Sequence, residues 1–228
     1  MTEEKKPAYP VFLDLDKRRV VVVGAGAVAK RKVNSLLECG ARVRLIAPVA
    51  NQALRELAQE GRIEWLERGF QPGDLAGSCL VVCACGVPAV NELVRAEAKK
   101  LNCLINVVDE PQTGNFTVPA TLKRGPLQIA VSTSGAAPAL ARDIKEDLGK
   151  VYDESWAAYV RLLGELRSLA LERVADENTR RVLLESFAQG DLRQRIARGE
   201  IPDAKQEFAH YTDKLQMSHK SPNNEREC

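Results

Sequence analysis

Gly24, Gly26 and Ala29 stand at the spacing Gly-x-Gly-x-x-Ala, directly after four consecutive valines. Between a strand and a helix, that spacing serves a dinucleotide. Gly24 permits a sharp turn. Gly26 lets a pyrophosphate approach the backbone, and Ala29 lets the helix lie close to the strand. The helix start then offers unpaired N–H groups and a positive dipole end. The plainer reading is a tight strand–helix turn with no ligand. Asp109 is the ionisable group best placed for acid–base work, because it follows the apolar stretch 103–108. It either takes a proton from a substrate or caps the turn before Pro111. Ser132, Thr133, Ser134 and Gly135 precede a helix opened near Pro138, with Arg142 and Lys145 further along it. Such a helix start holds an anion, or it is an ordinary N-cap with a solvated face. Cys79, Cys83 and Cys85 lie in or beside one apolar strand. We expect alternating side-chain directions to keep them from sharing a ligand, so they read as packed, reduced thiols with no metal. The two histidines, His210 and His219, fall near the C-terminus, which argues against a histidine-based dehydrogenase.

The elements around these residues follow from periodicity. Residues 19–23 read as a buried strand, and the following helix carries Ala29, Val33, Leu36 and Leu37 on one face, with Lys30, Arg31 and Lys32 on others. Strands are predicted over 42–47, 63–66, 80–84 and 103–108. Helices are predicted up to Gly61 and over 88–101, the latter with Val90, Leu93, Val94 and Leu101 inward. Apolar strands without polar alternation, alternating with helices, imply a parallel sheet covered on both faces, as in a Rossmann domain. Beyond Asp109 the pattern changes. Residues 116–121 and 127–132 read as strands, then a helix presents Leu140, Ile144 and Leu148 on one face. Residues 151–216 read as helices, with Trp156, Val160, Leu163, Leu166 and 182–187 among the apolar positions. The fold class is therefore α/β: an N-terminal Rossmann sheet, a small α+β element, and an all-helical C-terminal region. The expected boundaries are 1–114, 115–150, 151–216 and a disordered tail, 217–228.

Composition excludes other classes. The 228 residues are 45% hydrophobic and 28% charged, with a net charge of +2, so no domain-wide basic excess points to nucleic acid. No apolar run has membrane length, and the charged opening, Met1 to Lys6, leads into no hydrophobic segment. We expect a cytoplasmic protein. No Cys-x-x-Cys pair occurs among Cys39, Cys79, Cys83, Cys85, Cys103 and Cys228. At the carboxyl ends of the strands, where a ligand sits in such a sheet, Pro48 and Val49 stand where a ribose-binding acid is usual. The ribose then needs backbone groups or Asn51. No arginine follows that strand to meet a 2′-phosphate, which favours NAD over NADP. Gly86, after the fourth strand, lets the backbone approach the cofactor.

Several stretches carry a resemblance together. They are Pro10-Val-Phe-Leu-Asp-Leu, Val22-Val-Gly-Ala-Gly-Ala-Val-Ala-Lys-Arg-Lys32, Ala47-Pro48 and Asn106-Val-Val-Asp109. To these are added Asn115-Phe-Thr-Val-Pro-Ala120 and Ala130-Val-Ser-Thr-Ser-Gly-Ala-Ala-Pro-Ala-Leu-Ala-Arg142. Over about residues 9–150 the chain resembles the siroheme synthase dehydrogenase family, precorrin-2 dehydrogenases of which some are also sirohydrochlorin ferrochelatases. The resemblance implies NAD-dependent oxidation of the tetrapyrrole precorrin-2 to sirohydrochlorin. It also implies a homodimer built through the segment after the nucleotide domain, and, in some members, insertion of ferrous or cobaltous ion. It assigns catalysis to Asp109 and nucleotide contacts to Gly24, Gly26, Ala27, Val28, Pro48 and Val49. A carboxylate-rich substrate needs anion-binding groups, for which Asn115, Ser132, Thr133, Ser134, Gly135 and Arg142 are the candidates, with Lys123 and Arg124. The chain length leaves no room for a fused methyltransferase. Two departures stand out: Ala84-Cys85-Gly86 replaces the usual Ala-Thr-Asp or Ala-Thr-Asn, and Ser132-Thr-Ser-Gly135 replaces Ser-Ser-Gly-Gly. The competing reading is a non-catalytic NAD(H)-sensing module that docks a partner. A chelatase or tetrapyrrole carrier without the oxidation step is a third.

Overall fold

The computed structural model describes residues 8–219. The chain divides into two units, with the boundary between Val118 and Pro119. The first unit is a five-stranded parallel sheet of β1 (Arg19–Val23), β2 (Arg42–Ile46), β3 (Glu64–Leu66), β4 (Leu80–Cys83) and β5 (Leu104–Val107), in the order β3-β2-β1-β4-β5. Helices α1 (Ala27–Glu38), α2 (Gln52–Gln59) and α3 (Pro88–Lys100) connect the strands. The strand order reverses at β1, which makes the β1/β4 edge the switch point where such sheets bind ligands. Register aligns Val23 with Ile46 and Cys83, and Cys83 with Val107, so four strands end level.

The valine run is explained by burial on both faces. Val20 and Val22 pack with Ala29, Val33 and Leu54, while Val21 and Val23 pack with Val94 and Ala98. Alternate side chains of one strand thus feed two separate cores, and neither face tolerates a polar residue. Helix α3 departs from expectation. It buries Val94, Ala98 and the polar Asn91, whereas Leu93 and Leu101 are about half exposed, at 51% and 48%.

The second unit begins with a hairpin, β6 (Ala120–Arg124) and β7 (Leu127–Val131), paired antiparallel. The strand expected over 116–121 is thus displaced. Pro119 has no N–H to give a ladder, and Arg124 pairs with Leu127, so Gly125-Pro126 alone makes the turn. Lys123 and Arg124 are strand residues rather than a link. Among the described residues five helices follow: α4 (Pro138–Val151), α5 (Ser155–Arg173), α6 (Glu177–Gln189), α7 (Leu192–Ala197) and α8 (Ala204–His219). Their core joins Tyr159, Leu162, Leu166, Leu183, Phe187 and Phe208 with their neighbours. Val182 turns outward instead. The only residue α4 buries is Ala141, leaving Leu140 51% and Ile144 38% exposed. Glu207 is buried in the helical core and meets Arg195 at 2.7 Å. Helix α8 continues through His219, past the expected end at 216, and the rest of the proposed tail lies outside the described residues. No helix among the described residues is long and apolar enough to cross a membrane.

Candidate functional site

The glycine turn is fixed by geometry that only glycine satisfies. Gly24 has φ +100°, and its N–H donates to Ile46 O at 2.9 Å. A Cβ there would lie 2.4 Å from Ala84 O and 2.8 Å from Cys85 Cα, so the loop after β4 presses on the turn. Gly26 is different: a Cβ would meet nothing within 4 Å. Its role is to leave the helix start bare. It is the N-cap of α1, no side chain caps it, and no acidic residue lies in the first turn. The N–H groups of Ala27 and Val28 open this helix with no carboxylate competing for them, a site suited to a phosphate. Ala29 is fully buried against the valine strand.

Asn51 does not serve as a ribose partner. Its Nδ2 donates to Ala25 O at 3.1 Å and to Gly26 O at 3.3 Å, while its Oδ1 accepts from Leu54 N at 3.1 Å. One side chain thus caps α2 and ties it to the glycine turn. Pro48 and Val49 are exposed between the buried Ala47 and Ala50. Trp65 Nε1 donates to Ala47 O, and Arg55 Nε to Ala50 O, which pins both ends of that short segment. The nearby Arg55 is therefore engaged with backbone.

Asp109 follows β5 and is exposed. Val108 N donates to Cys83 O, which holds the exit of β5 against that of β4. Gly86 has φ +66°, and a Cβ there would lie 3.9 Å from Asp109 Oδ2. The structure thus brings Gly24, Gly86 and Asp109 to one edge of the sheet. Cys83 and Cys85 lie there as well. Both thiols donate to Asn91 Oδ1, at 3.0 and 3.2 Å, and their sulfurs are 3.9 Å apart. The expected divergence of the cysteines fails for this pair, because residues two apart point to the same side of a strand. Burial pushes the Cys83 thiol well above its usual value, and Cys85 adds to the effect. Asn91 escaped sequence reading. The available signal was a polar residue beside Val90 and Val94 on the inward face of α3.

Asn115 is spent on the sheet. Its Oδ1 accepts from Ile105 N at 2.8 Å, and its Nδ2 donates to Cys103 O at 3.2 Å. It closes the outer edge of β5. Its neighbour Gly114 lies so close that a Cβ would sit 2.7 Å from Ile105 O.

The remaining candidates belong to the second unit. Ser134 (φ +55°) and Gly135 (φ +86°) are consecutive left-handed residues ahead of α4. Ser132 Oγ accepts from Ser134 N, and Thr133 Oγ1 from Ala137 N, both at 3.1 Å. The hydroxyl oxygens shape the turn. Arg142 is exposed on α4. Arg124, by contrast, donates to Tyr152 O and Gly149 O and pairs with Glu154 at 3.3 Å, so it closes the end of α4 and is not an anion-binding group.

Comparison with known proteins decides the family. A family model described as putative NAD(P)-binding matches residues 11–120, and one described as sirohaem biosynthesis protein central matches 124–150. Siroheme synthase 3 of Aeromonas hydrophila is 39% identical over 198 residues, 86% of this chain and 42% of that protein. Siroheme synthase of Photobacterium profundum is 37% identical over 203 residues, 89% of this chain and 43% of that protein. A solved structure described as SirC, precorrin-2 dehydrogenase, superposes with a TM-score of 0.75 at 32% identity, covering 91% of this chain and 100% of that one. The chain belongs to the siroheme synthase dehydrogenase family. It spans about two fifths of the length of the curated siroheme synthases it matches. Within this family chain, the two matched segments meet near the boundary between the units, and the glycine turn lies in the nucleotide-binding one.

Proposed function

We propose that this protein oxidises precorrin-2 to sirohydrochlorin with NAD as acceptor, as a cytoplasmic homodimer, with Asp109 as the general base. The observation that carries the reading is the Asp109 carboxylate beside Gly86, on the same sheet edge as the glycine turn. The residues present suit the cofactor: a bare helix start at Gly26, and a turn at Gly24 that no other residue fits. Gly24, Gly26, Ala27 and Val28 hold the pyrophosphate, and the backbone of Pro48 and Val49 flanks the adenosine ribose. No arginine directly follows β2, and Arg55 Nε donates to Ala50 O, which supports NAD over NADP. Held by these residues, a nicotinamide cofactor would supply the hydride acceptor for the tetrapyrrole.

Asp109 Oδ2 accepts the proton that leaves the macrocycle. Being exposed, the carboxylate can pass that proton to water before the next turnover. The turn of Ser132, Thr133, Ser134 and Gly135, with the exposed Arg142, holds substrate carboxylates. The half-exposed Leu140 and Ile144 of α4 form an apolar face suited to a second copy. The described cysteines are all free thiols, the state that a reducing cytoplasm maintains. A ferrous or cobaltous ion is a substrate of the chelation that some members add, in which Asp109 would accept pyrrole protons.

The test is an absorbance assay with precorrin-2, with and without NAD, followed by ferrous or cobaltous ion. The expected result is NADH formation, reduced by about a hundredfold or more in Asp109→Ala, with NAD still bound. Normal turnover in that variant removes Asp109 from the mechanism. Tight NAD(H) binding with no tetrapyrrole binding favours the sensing module instead.

A further inference from the structure

Three observations meet at Ala84-Cys85-Gly86, after β4. The sulfurs of Cys83 and Cys85 are 3.9 Å apart on a shared acceptor, Asn91 Oδ1. Cys83 is fully buried in β4, while Cys85 is partly exposed in the bend before Gly86. The same bend is packed without slack against the phosphate-binding turn, since a Gly24 Cβ would lie 2.8 Å from Cys85 Cα and 2.6 Å from Ala84 C.

We propose that Cys83 and Cys85 form an oxidisable thiol pair, taking a hydroperoxide as oxidant, whose disulfide loosens the dinucleotide site. The coupling rests on the reading that the dinucleotide lies on the Gly24 turn. In the first step the Cys85 thiolate attacks one peroxide oxygen. The O–O bond breaks, and the departing hydroxide takes the proton Cys85 has lost, giving water and a sulfenic acid. Cys83 Sγ then attacks the Cys85 sulfur. The S–O bond breaks, and the hydroxide leaves as water with the Cys83 proton. Two thiols lose two electrons and the peroxide gains them. A disulfide needs the sulfurs about 2.05 Å apart, so the pair must approach. The end of β4 holds still, because Ala84 N donates to Val23 O and Val108 N to Cys83 O. The movement therefore falls on Cys85, whose Cα packs against the Gly24 turn.

The experiment treats the full chain with hydrogen peroxide and reads two quantities: the intact mass with peptide mapping, and NAD affinity by calorimetry before and after. The expected product is lighter by two hydrogen atoms, cross-linked between Cys83 and Cys85, and binds NAD about tenfold more weakly, within the usual range of coupling between sites. Dithiothreitol restores both. Cys85→Ser keeps a hydroxyl on Asn91 in the partly exposed bend and is the deciding variant, because Cys83→Ser disturbs a core position. In Cys85→Ser, peroxide neither cross-links the pair nor changes the affinity measured for that variant before treatment. A cross-link through Cys79, a sulfinic product without a cross-link, or a Cys83–Cys85 disulfide with unchanged affinity overturns the proposal. If the reduced protein binds no NAD, the reading of the Gly24 turn fails and the coupling with it, and the mass alone then reports the thiol chemistry.

Discussion

Asp109 follows β5 and Asp74 lies in the turn segment ahead of β4, and their surroundings give the two carboxylates opposite uses. Asp74 is buried and accepts two bonds from Arg68, at 2.7 and 2.8 Å, and one from Gln71 N. The Arg68 bonds hold its carboxyl below the usual range, with burial opposing them. Such a group stabilises the fold fully above the pKa it has in the unfolded chain, about 4, and the contribution fades as pH falls through its lower folded value. At pH 7 Asp74→Asn is therefore expected to melt lower than wild type, and the gap to shrink progressively as pH falls from about 4 through the lowered folded value. Asp109 has no such clamp and stays available. Gly24 is the least replaceable residue of the site. Gly24→Ala puts a methyl against Ala84 O at a positive φ, and is expected to cost about 3 kcal/mol. A urea titration measures that cost. Gly26→Ala meets no atom, so it is expected to leave stability nearly unchanged and to raise the NAD dissociation constant.

The turn and α2 act as a unit through Asn51. Asn51→Ala removes a helix cap, costing about 1 kcal/mol, and also removes the side-chain amide donor to the carbonyls of Ala25 and Gly26. Its expected kinetic signature is a raised KM for NAD with kcat retained. Asn51→Asp keeps the acceptor for Leu54 N and loses the donors, so it is expected to restore stability while leaving NAD binding impaired. Equal stability loss in both variants would remove the cap from the account. How much of this was legible follows from the physics of each element. The valine strand and the glycines are local signals, since burial on both faces demands an unbroken apolar run and a tight turn demands glycine. The roles of Asn51, Asn91 and Asn115 are tertiary: each bonds to chain that is remote in sequence, or to a strand whose path the composition does not reveal. The start of β6 was misplaced because Phe116-Thr-Val-Pro has strand composition, while Pro119 denies it a ladder. Cys83 and Cys85 converge because residues two apart share one side, a parity that alternation along the strand implies.

At the scale of the whole molecule, two units carry different tasks. The first presents the nucleotide edge with Asp109, and the second presents the left-handed turn at Ser134 and Gly135 and the apolar face of α4. If that face joins two copies, Leu140→Asp with Ile144→Asp is expected to give a monomer by sedimentation velocity, with helicity unchanged because both side chains are already exposed to a third or more of their area. A dimer that persists would place the interface elsewhere. The sheet also has an outer strand, β5, on the side away from β2 and β3. An uncovered outer strand invites another chain to add to it. Here Asn115 fills the donor of Ile105 and the acceptor of Cys103, and Asn115 N and Phe116 N reach Ile105 O. A few residues of chain thus lie where a foreign strand would dock. That arrangement protects the chain from sheet-to-sheet growth, and Asn115→Ala is expected to surface first as turbidity on storage.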